Sequence, residues 1–287
     1  MESIRRYQWN GSLNIEVLTD SAIVLAGTQE EKCRVSFRIP RDTYLTIYLP
    51  YILERLEEIL KNNVTDRYKG WWFSFDQVPL DWTYPIGVLY DSLVQLDPSF
   101  RNSTMTSDTV NVWKLVIHHD EKLPPGIIPI INGMKQIQEY WMHQWKQACF
   151  VLNGSSKQIM SLAKADSMSF WYSILNRDQK TFDRILEKIL QNRDTVKNIP
   201  LKIHVASSEV KLIESITNAS TYDPKLTLND ILRRACPQIF SAEEPSCFAK
   251  PIVQGIEVPL DSLILNLFNC FMSFDGFLHV SVSQVKK

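Results

Sequence analysis

Lys32-Cys33-Arg34-Val35-Ser36-Phe37-Arg38-Ile39 alternates polar with apolar residues without a fault, the period of a strand with one buried face. Cys33, Val35, Phe37 and Ile39 are expected to face a core, and Lys32, Arg34, Ser36 and Arg38 to face water. Upstream, Ser12 to Asp20 alternates in the same way, with Leu13, Ile15 and Val17 on one side and Asn14 and Glu16 on the other. Downstream, Pro50 suits a first helical position, and Ile52, Leu53, Leu56, Ile59 and Leu60 then form one apolar stripe as far as about Lys61. Two strands and a helix are followed by an aromatic strand from Trp71, Val78-Pro79-Leu80-Asp81, an apolar segment from Val88 to Val94, and a strand from Val112 to His118. The polar stretch Ser99 to Thr109 reads as a loop.

The last third repeats this order. Leu201 to Val205 alternates, Glu209 to Thr217 is its expected partner, and Leu228 to Ala235 is a helix opened by Thr227 with Asp230 three residues on and stopped by Pro237. Val258-Pro259-Leu260-Asp261 then repeats the earlier four residues (78 to 258, 180 positions on), ahead of a short apolar helix and a strand from Phe277 to Ser283. Two strands, a crossing helix and later strands completing a mixed sheet form the β-grasp arrangement of ubiquitin. Between the halves, Met134, Ile137, Trp141, Trp145, Ala148 and Leu152 recur at helical spacing from an N-cap at Asn132 to a stop at Asn153-Gly154. Shorter helices are expected from Ser155 or Ser156, over Ser167 to Leu175, and over Lys180 to Leu190. The expected fold class is α+β: two ubiquitin-like domains, 12–121 and 196–287, flank a helix-rich domain, 122–195, after a short helical N-terminal segment, 1–11.

Composition narrows the function. The 287 residues are 45% hydrophobic and 22% charged, and 31 basic against 32 acidic residues leave a net charge of -1. Such a chain buries its own cores, and nothing in its charge calls for nucleic acid. Five scattered cysteines, Cys33, Cys149, Cys236, Cys247 and Cys270, fit reduced thiols in small core positions. The N-terminus lacks an apolar signal core, and no apolar run approaches the roughly 18 residues of a spanning helix, so a cytoplasmic location is expected and the five N-x-S/T sequons are not glycan sites.

Catalytic spelling is absent: no G-x-S-x-G, G-x-x-x-x-G-K-[ST], G-x-G-x-x-G or H-E-x-x-H occurs, and no cofactor is expected. His118 and His119 are adjacent on a strand end, so they point to opposite faces and share a metal poorly. Cys149 and His143 lie six apart on one helix, about 120° around it, and do not form a nucleophile and base. Lys146 falls on the stripe of Lys135, Glu139 and Met142, away from the Trp141 face, where spacing alone makes it a solvated lysine.

The wording of the chain is more specific than its periods. Pro79-Leu80-Asp81-Trp82-Thr83-Tyr84-Pro85-Ile86-Gly87, with Leu89 and Asp91, resembles the signature of the autophagy-related protein five family. Trp9 and Gly11, Tyr44-Leu45-Thr46, Ile199-Pro200, Leu228 to Pro237, Gly255-Ile256-Glu257 and Phe277-Leu278-His279 follow in the family's order, so the resemblance runs over nearly the whole chain. It implies two ubiquitin-like domains around a helical one and a non-catalytic role as acceptor and scaffold. In that role one lysine takes the C-terminal glycine of the ubiquitin-like autophagy protein twelve from E1-like and E2-like enzymes, and the conjugate joins the coiled-coil autophagy protein sixteen. The complex acts E3-like, promoting transfer of autophagy protein eight to phosphatidylethanolamine while peripheral to the isolation membrane at the pre-autophagosomal structure. Trp141-Met142-His143-Gln144-Trp145-Lys146-Gln147 is similar to the fungal acceptor segment, which makes Lys146 the acceptor, with Lys135, Lys157 and Lys164 as neighbours that could replace it. Arg5, Arg6, Tyr7 and Trp9 read equally as part of a partner groove or as a pin holding the N-terminal segment to the first domain. Arg34 and Arg38 read as a lipid-facing pair or a solvated one. The competing class is an intracellular thiol hydrolase using Cys149 or another cysteine.

Overall fold

The computed structural model describes residues 2–61, 66–94, 111–190, 198–206, 212–216, 223, 225–240 and 249–284. Cys247 and the expected loop Ser99 to Thr109 lie outside them. The chain divides into two compact units, Gly11–Leu89 with Asn102–Tyr140, and Met1–Asn10 with Tyr90–Arg101 and Trp141–Lys287.

In the first unit, β1 (Ser12–Thr19) pairs antiparallel with β2 (Arg34–Pro40), and α2 (Leu49–Leu56) follows, after a first helix α1 (Glu2–Asn10) that belongs to the other unit. Then come β3 (Trp71–Phe75), β4 (Val78–Pro79), α3 (Ile86–Leu93) and β5 (Val112–His119). The sheet order is β2-β1-β5-β3-β4, with β1 and β5 parallel in the centre. Ile15, Val17, Val35, Ile39, Leu115 and Ile117 are buried with Ile52, Leu53 and Leu56 of α2, as the alternation and the stripe require. Each such side chain contributes roughly 1.5–3 kcal/mol. Two expected core residues depart from this: Cys33 lies in a 3-10 turn (Glu30–Cys33), and Phe37 is half-buried, stacked on Tyr48 at 5.8 Å and edge-on to Tyr51 at 5.7 Å.

The Pro79–Gly87 stretch earns its odd composition from packing. Asp81 accepts from the Thr83 N–H and hydroxyl, and the buried Trp82 indole donates to the Ile128 carbonyl at 2.8 Å while packing edge-on to Tyr44 and Tyr140. Ile86 and Gly87 donate their N–H groups to the Thr43 and Arg41 carbonyls. A Cβ on Gly87 would meet Arg41 Cβ at 3.0 Å, so glycine lets helix α3 start against that backbone.

The helical segment comprises α4 (Gly133–Asn153), α5 (Lys157–Met160), α6 (Lys164–Leu175) and α7 (Gln179–Ile189). At the start of α4 it is Gln136, not Asn132, that ties the chain: its side chain accepts from Ile131 and Asn132 N–H and donates to Pro129 O. In the same unit as α6 and α7, β6 (Leu201–Ala206), β7 (Leu212–Ile216), α8 (Leu228–Ala235), β8 (Ala249–Val253), β9 (Ile256–Glu257), α9 (Ile264–Phe271) and β10 (Leu278–Gln284) repeat the first layout. Their order is β7-β6-β10-β8-β9, with β6 and β10 parallel. Thr227 and Asp230 form the expected capping box on α8.

The repeated V-P-L-D, however, does not occupy equivalent positions. In the first sheet Phe75 pairs with Val78 across a two-residue turn, Asp76-Gln77; in the second Val253 pairs with Ile256 across Gln254-Gly255. The equivalence is 178 positions (75 to 253, 78 to 256), so Val258 corresponds to Leu80, each donating its N–H back across the hairpin, to Pro251 and Phe73. The topology is duplicated; the four-letter match is two residues out of step.

Helix α1 docks within the second unit. Trp9 is buried against Phe182 with ring centroids 4.9 Å apart, its indole donates to Arg177 O, and the Arg177 guanidinium lies over the ring. Arg5 donates twice to Asp183 Oδ1, and the Gln8 amide donates to Met272 O. Trp9 is therefore a pin, but into the helical part rather than into the first ubiquitin-like domain.

Candidate functional site

Helix α4 turns one hydrophobic face inward, burying Trp141, Trp145, Ala148, Cys149 and Leu152 in the second unit. Both indoles, one turn apart, donate to the same acceptor, the Phe274 carbonyl, at 2.8 Å each. The loop that supplies this carbonyl passes close to the helix at Gly276. Its φ of +87° suits glycine, and a Cβ there would lie 2.9 Å from Ala148 Cβ and from the Trp145 ring.

The opposite face carries His143, Gln147 and Phe150, all exposed, with Phe150 63% accessible. Lys146 sits between the two faces. It is half-buried, not fully solvated as its stripe suggested, because it borders a surface pocket of about 610 Å³ floored by Phe150, Val151 and Phe277. Among the described residues Lys146 makes no hydrogen bond or ion pair, so its amine is available beside an apolar surface. Lys157 and Lys164 are exposed and line no part of this pocket, and Lys135 pairs loosely with Glu139 at 3.9 Å.

Below α4 lies a buried polar cluster. Lys202 and His204 project from β6 away from the core of their own sheet, yet both are buried, together with His279, Asp275 and Gln144. Lys202 donates to the Gln144 side chain and lies 4.5 Å from the Phe277 ring centre. His279 Nε2 contacts both Asp275 oxygens at 3.0 and 3.1 Å, and His204 Nε2 meets His279 Nδ1 at 2.9 Å, so the three side chains form one buried hydrogen-bonded chain. Burial, with His279 and Lys202 alongside, holds His204 well below the ordinary histidine range. Burial alone would raise Asp275, but the charges of His279 and Lys202 and the bonds it accepts bring it below the usual carboxylate value. The missed signal was tertiary: nothing within β6 tells that a helix covers its second face.

The other candidates separate. Cys149 is fully buried, and burial pushes its thiol up to about 12, while His143 is exposed, so the pair is not a nucleophile and base. His118 bonds Asp20 at 2.6 Å and Ser74 at 2.8 Å and stacks on Trp72, whereas His119 packs on Trp71. Each has its own structural partners. Arg34 forms long ion pairs with Glu16 and Glu30, and Arg38 donates to the Ser12 hydroxyl. Among the described residues no helix is long and apolar enough to cross a membrane.

Known proteins carry the same arrangement. The chain matches the family segments described as Autophagy protein ATG5, UblA domain (residues 8–119), alpha-helical bundle region (134–192) and UblB domain (198–282). It is 40% identical over 291 residues to Autophagy protein 5 of Vanderwaltozyma polyspora, covering 99% of this chain and 97% of the relative. It is 38% identical to the Eremothecium gossypii protein of the same name, covering 98% and 95%. The crystal structure of Kluyveromyces marxianus Atg5 superposes with a TM-score of 0.82 at 32% identity, over 98% of this chain and 99% of that one. With two ubiquitin-like domains flanking a helical bundle and alignments running nearly end to end, the chain belongs to the Atg5 family of autophagy proteins.

Proposed function

We propose that this chain is the covalent acceptor and scaffold of the autophagy conjugation system, with Lys146 as the acceptor. The observation that carries this reading is an unpaired amine held beside an apolar pocket on a helix latched by two tryptophans. Acceptance needs no catalytic group on this chain. A lysine amine has an ordinary pKa of about 10.4 and must lose its proton to the transferring enzyme before it reacts. The amine nitrogen then attacks the thioester carbonyl of the C-terminal glycine of autophagy protein twelve; the C–N bond forms, the C–S bond breaks, and the sulfur stays with the E2-like enzyme.

The conjugate joins the coiled-coil autophagy protein sixteen and acts E3-like toward lipidation of autophagy protein eight on phosphatidylethanolamine. It works in the cytoplasm and peripherally at the isolation membrane. Reconstitution with the E1-like and E2-like enzymes, ATP and the modifier tests the reading. Wild type is expected to give a branched product on a denaturing gel, and Lys146→Arg to give none, because a guanidinium keeps the charge but is not a competent nucleophile. No product from wild type overturns the acceptor role; a product from Lys146→Arg moves the acceptor to Lys135, Lys157 or Lys164.

A further inference from the structure

The first ubiquitin-like domain has a cleft far from this chemistry in character. Strand β2 is the outermost strand of its sheet, and β1 is its one strand neighbour among the described residues. Half of its backbone N–H and C=O groups therefore face outward, the template onto which an extended segment can pair. Between β2 and α2 with its 3-10 extension (Glu57–Ile59) lies a groove of about 380 Å³, with Val35 and Ile59 at its floor and Lys32, Arg34, Arg55 and Glu58 around it. Three cations against one carboxylate make this lining positive in a chain whose net charge is -1.

The cations are not consumed by internal pairing. Lys32 and Arg55 form no ion pair among the described residues, Arg55 lying instead over the Tyr51 ring at 4.5 Å, and the Arg34 pairs are long, at 3.7 and 3.9 Å. Phe37, half-buried, and Tyr51, 37% exposed, meet beside the same strand and extend the apolar seat. A helix cannot use a strand edge's hydrogen-bonding groups, and a flat lipid surface would reach neither Val35 nor Ile59. An extended chain can use all three features at once: backbone pairing to β2, an apolar side chain toward Val35 and Ile59, and carboxylates toward Lys32, Arg34 and Arg55.

We infer that the β2 edge and its groove form a docking site for an extended acidic peptide segment of a partner protein, which adds to the sheet as a further strand. The site is independent of Lys146, so the two can fail separately.

The test uses the full chain and a fluorescent nonapeptide carrying Phe and Ile at alternate positions within a run of Asp and Glu. Fluorescence anisotropy is expected to show saturable binding at physiological salt. The double variant Lys32→Glu, Arg55→Glu should weaken it by about tenfold or more, since two exposed attractions become repulsions, with an unchanged melting temperature showing that the fold is intact. The same peptide N-methylated at every amide should bind no better than background, because a strand partner without N–H groups cannot donate to the β2 edge. No saturable binding, equal binding of the N-methylated peptide, or indifference to the charge reversal each overturns the proposal. So does charge-dependent binding of vesicles containing phosphatidylserine without peptide binding, which would give these cations to a lipid surface.

Discussion

The two ubiquitin-like domains share strand order and hairpin, yet they treat the second faces of their sheets in opposite ways. On the first sheet that face is wet: Asn14 and Lys114 are exposed, and Glu16 joins Arg34 and Lys114 in surface pairs of 3.9 and 3.8 Å. On the second sheet the corresponding face lies beneath α4, and Lys202, His204 and His279 are buried with Asp275. Identical alternation thus supports a solvated surface in one place and an internal polar contact in the other. Polar residues on a strand face report only that the face avoids the core of its own sheet.

The sharpest way to break the contrast is to remove a charge from the buried side. Asp275→Asn should lower stability by about 1.5–3 kcal/mol, because it removes the buried carboxylate to which His279 Nε2 and the Phe277 N–H are bonded, and thermal unfolding would read the loss.

Acidity tests the same cluster. His204 is neutral when folded and ordinary when unfolded, so the unfolded chain binds the extra proton. Stability should fall as pH drops below about 6.5, by up to about 1.4 kcal/mol per pH unit. Asp275, lowered in the fold, keeps its own contribution over that window and loses it only as pH falls through its folded value, below the usual 3.8. Urea melts between pH 7 and 5 should show the slope in wild type and a flatter profile in His204→Gln.

The hairpins give a smaller, reciprocal test. Gln77 holds a φ of 67° where its counterpart Gly255 holds 81°. Gln77→Gly should stabilise by about 0.5–1 kcal/mol and Gly255→Gln should destabilise by at least as much, measured as shifts in urea midpoint. Least is expected on the wet face: Glu16→Gln should cost under about 1 kcal/mol, less at high salt.

These differences also mark what the chain's spelling reveals. Strict alternation in β1 and β2, the stripe of α2 and the Thr227–Asp230 box are local signals, and they placed the strands and helices well. Trp9 was legible as an anchor but not in its destination, because spacing within α1 says nothing about Phe182 and Arg177. Repetition of V-P-L-D pointed to a real duplication through an accidental word, since Val258 pairs as Leu80 does. Lys146 was singled out by the wording around it, while its pocket depends on Phe277, 131 positions away (146 to 277), which no period within α4 encodes.

The Phe274 carbonyl, shared by two indoles one turn apart, has a consequence for direction. Turning α4 about its axis, or sliding it, would break both bonds together, and Gly276 leaves no clearance for the helix to approach further. Lys146 follows Trp145 by one residue, about 100° around the helix. Its azimuth is thereby set by two bonds on the far side, so in the proposed acceptor role a thioester would meet an amine whose bearing is fixed while its tip stays free to move.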